Sequence, residues 1–190
     1  MITRRTTQSL ISFMFVMLLF SAAGRAVAEE TVIRSYPLTG HGQIRLQVPA
    51  SWKETVRQPS QERPPTIVFT PKTGPGFMIL FTPLYPVRAG TPPPSENDLK
   101  LLVQDSVVRA NKQSVKKKLA INKLKGRYVH GYYFSATDRA PRRGEYKYLT
   151  QGMLLIDEII PTFTVLTNDG DDTVVQQSLT MLKSVSHIKE

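Results

Sequence analysis

The chain has 190 residues, no cysteine, 41% hydrophobic residues, and 25 Lys and Arg against 15 Asp and Glu. This length and apolar content suit one domain with a single core. The lack of cysteine excludes disulfides, thiolate metal sites and cysteine nucleophiles. The aromatic content of 8% and charged content of 21% exclude a disordered tail and a fibrous repeat.

The first 28 residues are predicted to be a cleaved export signal. Arg4 and Arg5 precede the apolar run Leu10 to Phe20, and Ala26 to Ala28 has the small-x-small spacing that signal peptidase accepts. The run is too short to span a bilayer, and no later segment comes close. We therefore expect cleavage near Ala28, a periplasmic or secreted protein without a transmembrane segment, and one globular domain over residues 29–190.

Three strands are predicted in the first half of this domain. Gln43 to Val48 alternates polar and apolar residues and is ended by Pro49, and Thr66 to Thr70 is a second β-rich run. The third, Phe77 to Thr82, is apolar on both parities, which predicts cover on both faces. Trp52 is expected to be a core residue at a sheet corner, although a ligand-stacking surface is the alternative.

A helix is predicted after a proline-rich connector, with Ser95 as its N-cap. Its apolar positions form one stripe that predicts packing on a sheet. The stripe comprises Leu99, Leu102, Val103, Val107 and Ala110.

Further strands and a closing helix are predicted in the second half. The strands are Val115 to Leu124, Arg127 to Asp138, Glu145 to Asp157 and Glu158 to Thr167, and the helix is Thr173 to Val185. Asp169, Asp171 and Asp172 precede this helix. Capping explains them, and a partial calcium loop lacking its glutamate is the alternative.

A hairpin between two of these strands predicts a notch in the sheet. Pairing Asp138 with Glu145 sets Gly131 opposite Gly152, with Tyr133 on the same face. The notch is either a ligand pocket or a place of close packing. Since both faces of this hairpin carry apolar residues, we expect an α+β fold in which an antiparallel β-sheet is covered by helices on both faces, an α/β/α sandwich.

The order of these elements resembles the PsbP/Mog1-like superfamily of small exported α/β/α sandwich proteins. The resemblance covers Ile33 to Val185 and is carried by the strand ending Val48 to Trp52 and the terminal helix ending Leu182 to Val185. It implies an accessory or binding protein that is not an enzyme. The superfamily has no shared catalytic motif, so no functional residue is carried over from it.

No pattern of catalytic or metal-ligating residues was found in the sequence. His41, His130 and His187 are far apart and have no ligand at helical spacing. Phosphate loops and nucleophile elbows are absent from the sequence. Asp157 and Glu158, if on a strand, would point to opposite faces. We therefore expect no enzyme, no catalytic residue, no cofactor and no metal.

Positive charge is concentrated in one segment. Of the 25 basic residues, the leader contains three, which leaves 22 against 15 acidic residues. Eight of the 22 lie between Ser106 and Thr137, where the sequence has no acid, and Arg139, Arg142 and Arg143 follow in the next loop. The eight are Arg109, Lys112, Lys116, Lys117, Lys118, Lys123, Lys125 and Arg127.

Two explanations of the basic segment remain open. Lysines on an edge strand prevent aggregation between sheets. Alternatively, the segment docks an anionic envelope component or an acidic protein. Nucleic acid is not expected, because no recognition motif accompanies the charge. We expect an exported, non-catalytic accessory or scaffold protein of the cell envelope that docks through its basic strand. The alternative is a small-ligand-binding protein with a pocket at the glycine notch of Gly131, Tyr133 and Gly152.

Overall fold

The computed structural model describes residues 29–58, 60, 63–74, 76–86, 92–168, 170 and 172–189. The predicted leader and Asp169 and Asp171 lie outside the described residues. Within this part the chain forms ten strands and two helices. They are β1 Thr31–Pro37, β2 Gln43–Pro49, β3 Trp52–Arg57, β4 Thr66–Pro71, β5 Phe77–Leu84, α1 Glu96–Asn111, β6 Asn122–Lys125, β7 His130–Thr137, β8 Tyr148–Leu155, β9 Ile160–Thr167, α2 Thr173–Lys183 and β10 Ser186–Ile188.

The strands form two antiparallel sheets. The larger has seven strands in the order β3-β4-β5-β9-β8-β7-β6, and the smaller has the order β1-β2-β10. The α+β class is therefore confirmed. The smaller sheet was not predicted. It covers part of one face of the larger sheet, which was predicted to be covered by a helix. Helix α1 packs on β7 and β8, whereas α2 contacts β2, β6 and β9.

The main core lies between the larger sheet, the smaller sheet and α2. Phe69, Phe81 and Phe163 of the larger sheet are fully buried there with Ile44 of β2 and Leu182 of α2. Trp52 belongs to the same cluster, as predicted for a core residue. In β5 alternate residues are buried, and Met78 and Leu80 between them are partly exposed. The second face of this strand, which was predicted to be covered, is therefore only partly covered.

Helix α1 begins where its capping signal predicts. The Ser95 hydroxyl accepts from the Asp98 N–H at 3.2 Å, and Asp98 Oδ2 accepts from the Ser95 N–H at 3.0 Å, which forms a capping box. Val103 and Val107 pack against Phe134 of β7. Leu102, predicted to be buried, is 43% exposed. Around the helix axis, Leu102 lies about 60° from Leu99 in one direction, whereas Val103 and Val107 lie from Leu99 in the other direction.

The N-cap residue of helix α2 is Asp172, whose side chain makes no capping hydrogen bond, contrary to the prediction for this residue. The helix ends at Lys183 rather than Val185, and Ser184 donates to the Met181 carbonyl at 2.6 Å. Burial of Leu179 and Leu182 holds the helix on the core.

The predicted strand Val115 to Leu124 was wrong over most of its length. Ser114 makes an isolated bridge with Asp138, after which the chain leaves the sheet and rejoins it at Asn122. The departure allows Leu119 to be buried in the cluster formed by α1 and Phe134. Lys116, Lys117 and Lys118 therefore lie in a connection and not on a strand.

The hairpin of β7 and β8 pairs two residues away from the predicted register. Thr137 pairs with Tyr148, and the Asp138 N–H donates to the Lys147 carbonyl at 2.8 Å. A turn lengthens the loop, since the Glu145 N–H donates to the Arg142 carbonyl at 3.0 Å. As a consequence β8 begins at Tyr148 rather than Glu145, and Gly131 is not opposite Gly152.

Candidate functional site

Six of the eight basic residues lie in or next to β6, the last strand at one edge of the larger sheet, and the other two lie at the end of α1. All eight are exposed. They occupy four neighbouring parts of the chain. Arg109 and Lys112 lie at the end of α1, Lys116, Lys117 and Lys118 in the connection, Lys123 and Lys125 in β6, and Arg127 in the turn before β7.

One of the eight is neutralised within the protein. Lys123 Nζ lies 2.5 Å from Glu96 Oε1 at the start of α1, and the Tyr132 hydroxyl donates to the same oxygen at 2.7 Å. These two hydrogen bonds, the one from Lys123 being stronger, lower the pKa of Glu96 from 4.5 to about 2. The same contact raises the pKa of Lys123. Among the described residues, no ion pair involves the other seven.

The loop after β7 adds to the surface at the end of α1. Arg139 Nη2 donates to the Lys112 carbonyl at 2.6 Å, and its backbone N–H donates to the Gln113 carbonyl at 3.0 Å. Arg142 and Arg143 are exposed in the same loop. The expected extension of the basic segment into this loop is therefore present for Arg139, which adjoins Lys112.

The turn at the other end of β6 packs closely on α2. A Cβ at Gly126 would meet the Lys183 carbonyl oxygen and would lie 2.8 Å from Val129 Cγ1. Glycine permits this approach because it has no side chain. The contact brings Arg127 beside Lys183 at the end of α2.

Arg127 and Lys183 line a groove of about 360 Å³, and Arg45 of β2 lines it as well. Tyr128 and Ile33, which are 58% and 59% exposed, supply the apolar part of its lining. The Arg127 guanidinium lies 5.0 Å from the centre of the Tyr128 ring. Sequence reasoning missed Arg45 and Lys183, because each is more than 50 residues from Arg127 in the chain.

The glycine notch is occupied by neighbouring side chains. Gly131 pairs with Leu154 and Gly152 pairs with Tyr133. A Cβ at Gly131 would lie 2.9 Å from Leu154 Cδ2, and one at Gly152 would lie 2.7 Å from both Phe163 Cζ and Tyr133 Cβ. The two-residue shift keeps both glycines on the same face. The contacts favour close packing as the reason for these glycines.

Tyr133 also lines a neighbouring groove of about 330 Å³, together with Lys116 of the connection. The groove lies between α2 and the strands β7 and β8, and Thr150 and Tyr148 also line it. Neither Gly131 nor Gly152 lines it.

Asp157 and Glu158 are not on a strand, contrary to expectation. They form the turn between β8 and β9, and their carboxylates lie near His187 of β10. Their side chains were expected to point to opposite faces because both residues were predicted to lie on strands. In the turn both carboxylates lie near His187, which follows Asp157 by 30 residues in the chain.

None of the helices in the described part of the chain has the length and apolar content needed to cross a membrane.

Comparison with known proteins gives likeness in structure only. No family model matches the chain, and no curated protein matches it. A Bacteroides thetaiotaomicron protein of known structure is similar with 10% identity and a TM-score of 0.49, over 85% of this chain and 50% of that one. This chain therefore spans half of that protein's length.

The solution structure of cyanobacterial PsbP (CyanoP) from Synechocystis sp. PCC 6803 is also similar, with 12% identity and a TM-score of 0.48, over 90% of this chain and 99% of that one. PsbP belongs to the PsbP/Mog1-like superfamily that the sequence resembles. A member of that superfamily is therefore among the solved structures to which this chain is similar.

Proposed function

We propose that the protein is an exported, non-catalytic accessory or scaffold protein of the cell envelope that docks on anionic phospholipid head groups through its basic edge. The main support for this proposal is the groove at the turn before β7. Three cations, Arg45, Arg127 and Lys183, line this groove. The exposed side chains of Tyr128 and Ile33 line it as well. Export is supported by the predicted leader, and the lack of catalysis by the absence of a catalytic motif in the sequence.

A lipid head-group region matches both properties of this groove. Phosphate groups attract Lys and Arg, at about 1 kcal/mol for each residue near an anionic surface. Aromatic and aliphatic side chains such as Tyr128 and Ile33 partition into the boundary between head groups and acyl chains. A soluble polyanion would use the cations but would gain little from the two apolar side chains.

Prevention of aggregation explains only part of the basic surface. Lys123 and Lys125 lie on the exposed edge strand, where charge opposes pairing with another sheet. Lys116 to Lys118 lie in a connection that offers no strand edge. Arg45 lies on β2, which is paired on both sides. Docking explains these residues, and edge protection does not.

Vesicle binding tests the proposal. The triple variant Arg45→Gln, Arg127→Gln, Lys183→Gln should bind vesicles of phosphatidylglycerol and phosphatidylcholine about 100-fold more weakly than the unaltered protein, from about 1 kcal/mol for each cation. The salt dependence should also become shallower. Co-sedimentation at several salt concentrations measures both quantities.

The control removes the same charge from the opposite edge of the larger sheet, through Lys53→Gln, Arg57→Gln and Arg63→Gln. It should bind nearly as the unaltered protein does. Equal losses in the two triple variants would show that net charge alone is responsible and would refute a docking edge. Tyr128→Ser should weaken vesicle binding without changing the salt dependence. If Tyr128→Ser had no effect, an acidic protein or polymer would replace the lipid as the ligand.

A further inference from the structure

The turn between β8 and β9 carries two neighbouring carboxylates. The backbone N–H groups of Ile156 and Ile159 each donate to the other's carbonyl, at 3.0 and 2.9 Å, so that Asp157 and Glu158 are the two residues of a tight turn. Asp157 has a φ of 50°, a conformation that Asp and Asn adopt more readily than most residues. The turn directs both carboxylates toward β10.

His187 of β10 presents one ring nitrogen to these carboxylates. Its side chain is only 1% exposed. Nε2 lies 2.7 Å from the His41 carbonyl oxygen, and since a carbonyl only accepts, Nε2 carries the hydrogen. Nδ1 then lies 3.0 Å from Asp157 Oδ2. Metal-binding histidines are held in this way, with one nitrogen donating to a carbonyl and the other free for the ion.

The Nδ1 lone pair and the Asp157 oxygen can share either a proton or a metal ion. One ligand atom each from Asp157, Glu158 and His187 lie within 4.8 Å of one another. Ligands of tetrahedral zinc are about 3.3 Å apart, for bonds of about 2.0 Å. The Lys189 ammonium lies 3.6 Å from Glu158 and 4.0 Å from Asp157, where it would compete with a metal ion.

We propose that Asp157, Glu158 and His187 bind a divalent transition-metal ion of the zinc type, with water completing the coordination. One imidazole and two carboxylates suit Zn²⁺ better than Mg²⁺ or Ca²⁺, which take oxygen ligands. The ion joins β10 of the smaller sheet to the β8–β9 turn of the larger one. Because it binds the folded chain only, it stabilises the fold increasingly as the metal concentration rises above the Kd.

Metal titration of the protein purified without an affinity tag tests the proposal. Calorimetry with Zn²⁺ and absorbance with Co²⁺ should both give one ion per chain, and the melting temperature should rise with metal concentration. His187→Gln and Asp157→Asn should each weaken binding at least tenfold. Asn is chosen because it tolerates the backbone conformation of Asp157. The matched control is His130→Gln on β7, which should bind as the unaltered protein does.

The variant Lys189→Met distinguishes a metal site from a network of ion pairs that binds no metal. Removal of the competing ammonium should tighten metal binding, whereas an ion-pair network would give no metal response in any variant. The proposal is overturned if no saturable binding occurs up to about 1 mM metal, a Kd that corresponds to only about 4 kcal/mol. It is equally overturned if His187→Gln and Asp157→Asn bind as the unaltered protein does.

Discussion

Gly152→Ala distinguishes a packed notch from an empty one, because the two give opposite signs of the stability change. An added Cβ would lie 2.7 Å from Phe163 Cζ and from Tyr133 Cβ, about 1 Å closer than an unstrained carbon contact. Phe163 is buried, and Tyr133 Cβ is fixed to the backbone of the neighbouring strand. Relief therefore requires strands to shift, which costs about 1–3 kcal/mol.

Urea unfolding followed by fluorescence measures this cost. For a domain of this size, a loss of about 2 kcal/mol also lowers the melting temperature by about 4–8 °C. Were the notch empty, alanine would stabilise the strand by about 0.5–1 kcal/mol relative to glycine. A neutral or stabilising Gly152→Ala would therefore refute the packing argument. Gly76→Ala is the control, since a Cβ there meets nothing within 4 Å and its φ is not positive.

Two further predictions concern the start of α1. Lys123→Met should raise the pKa of Glu96 from about 2 toward its ordinary 4.5, as followed by NMR of the carboxyl group. A carboxyl group whose pKa is lower in the folded state stabilises the fold at pH values above its unfolded pKa. The unaltered protein should therefore lose this stabilisation as the pH falls from 4.5 to about 2. If the pKa of Glu96 were the same in Lys123→Met, the contact between Glu96 and Lys123 would be contradicted. Ser95→Ala should destabilise the protein by about 1 kcal/mol in urea unfolding, and Ser95→Gly by only a few tenths. Equal losses in these two variants would argue against the cap at Ser95.

Elements with strong local signals were predicted well from the sequence. Ser95 and the apolar stripe from Leu99 to Val107 located α1, because a cap and a 3.6-residue period are properties of adjacent residues. The alternation in Gln43 to Val48 located β2 for the same reason. In contrast, β10 has only three residues and depends on pairing with β2. No local pattern predicts such a strand.

The candidate sites were predictable only where they are local in sequence. The basic segment and its exposure follow from composition, since clustered lysines are rarely buried. The groove was missed because Arg45 and Lys183 approach Arg127 through the pairing of distant elements. The cluster at His187 was missed because Asp157 and Glu158 were assigned to strands, and a strand geometry separates carboxylates that a turn brings together.

The position of β10 in the smaller sheet has a consequence for the order of folding. Ser186 pairs with Arg45, so that one edge of β2 remains open until nearly the whole described chain has been synthesised. Neighbouring strands such as β7 and β8 can pair much earlier, since a short loop joins them. Contacts between residues so far apart in the chain form slowly. Closure of the smaller sheet is therefore a late step in folding.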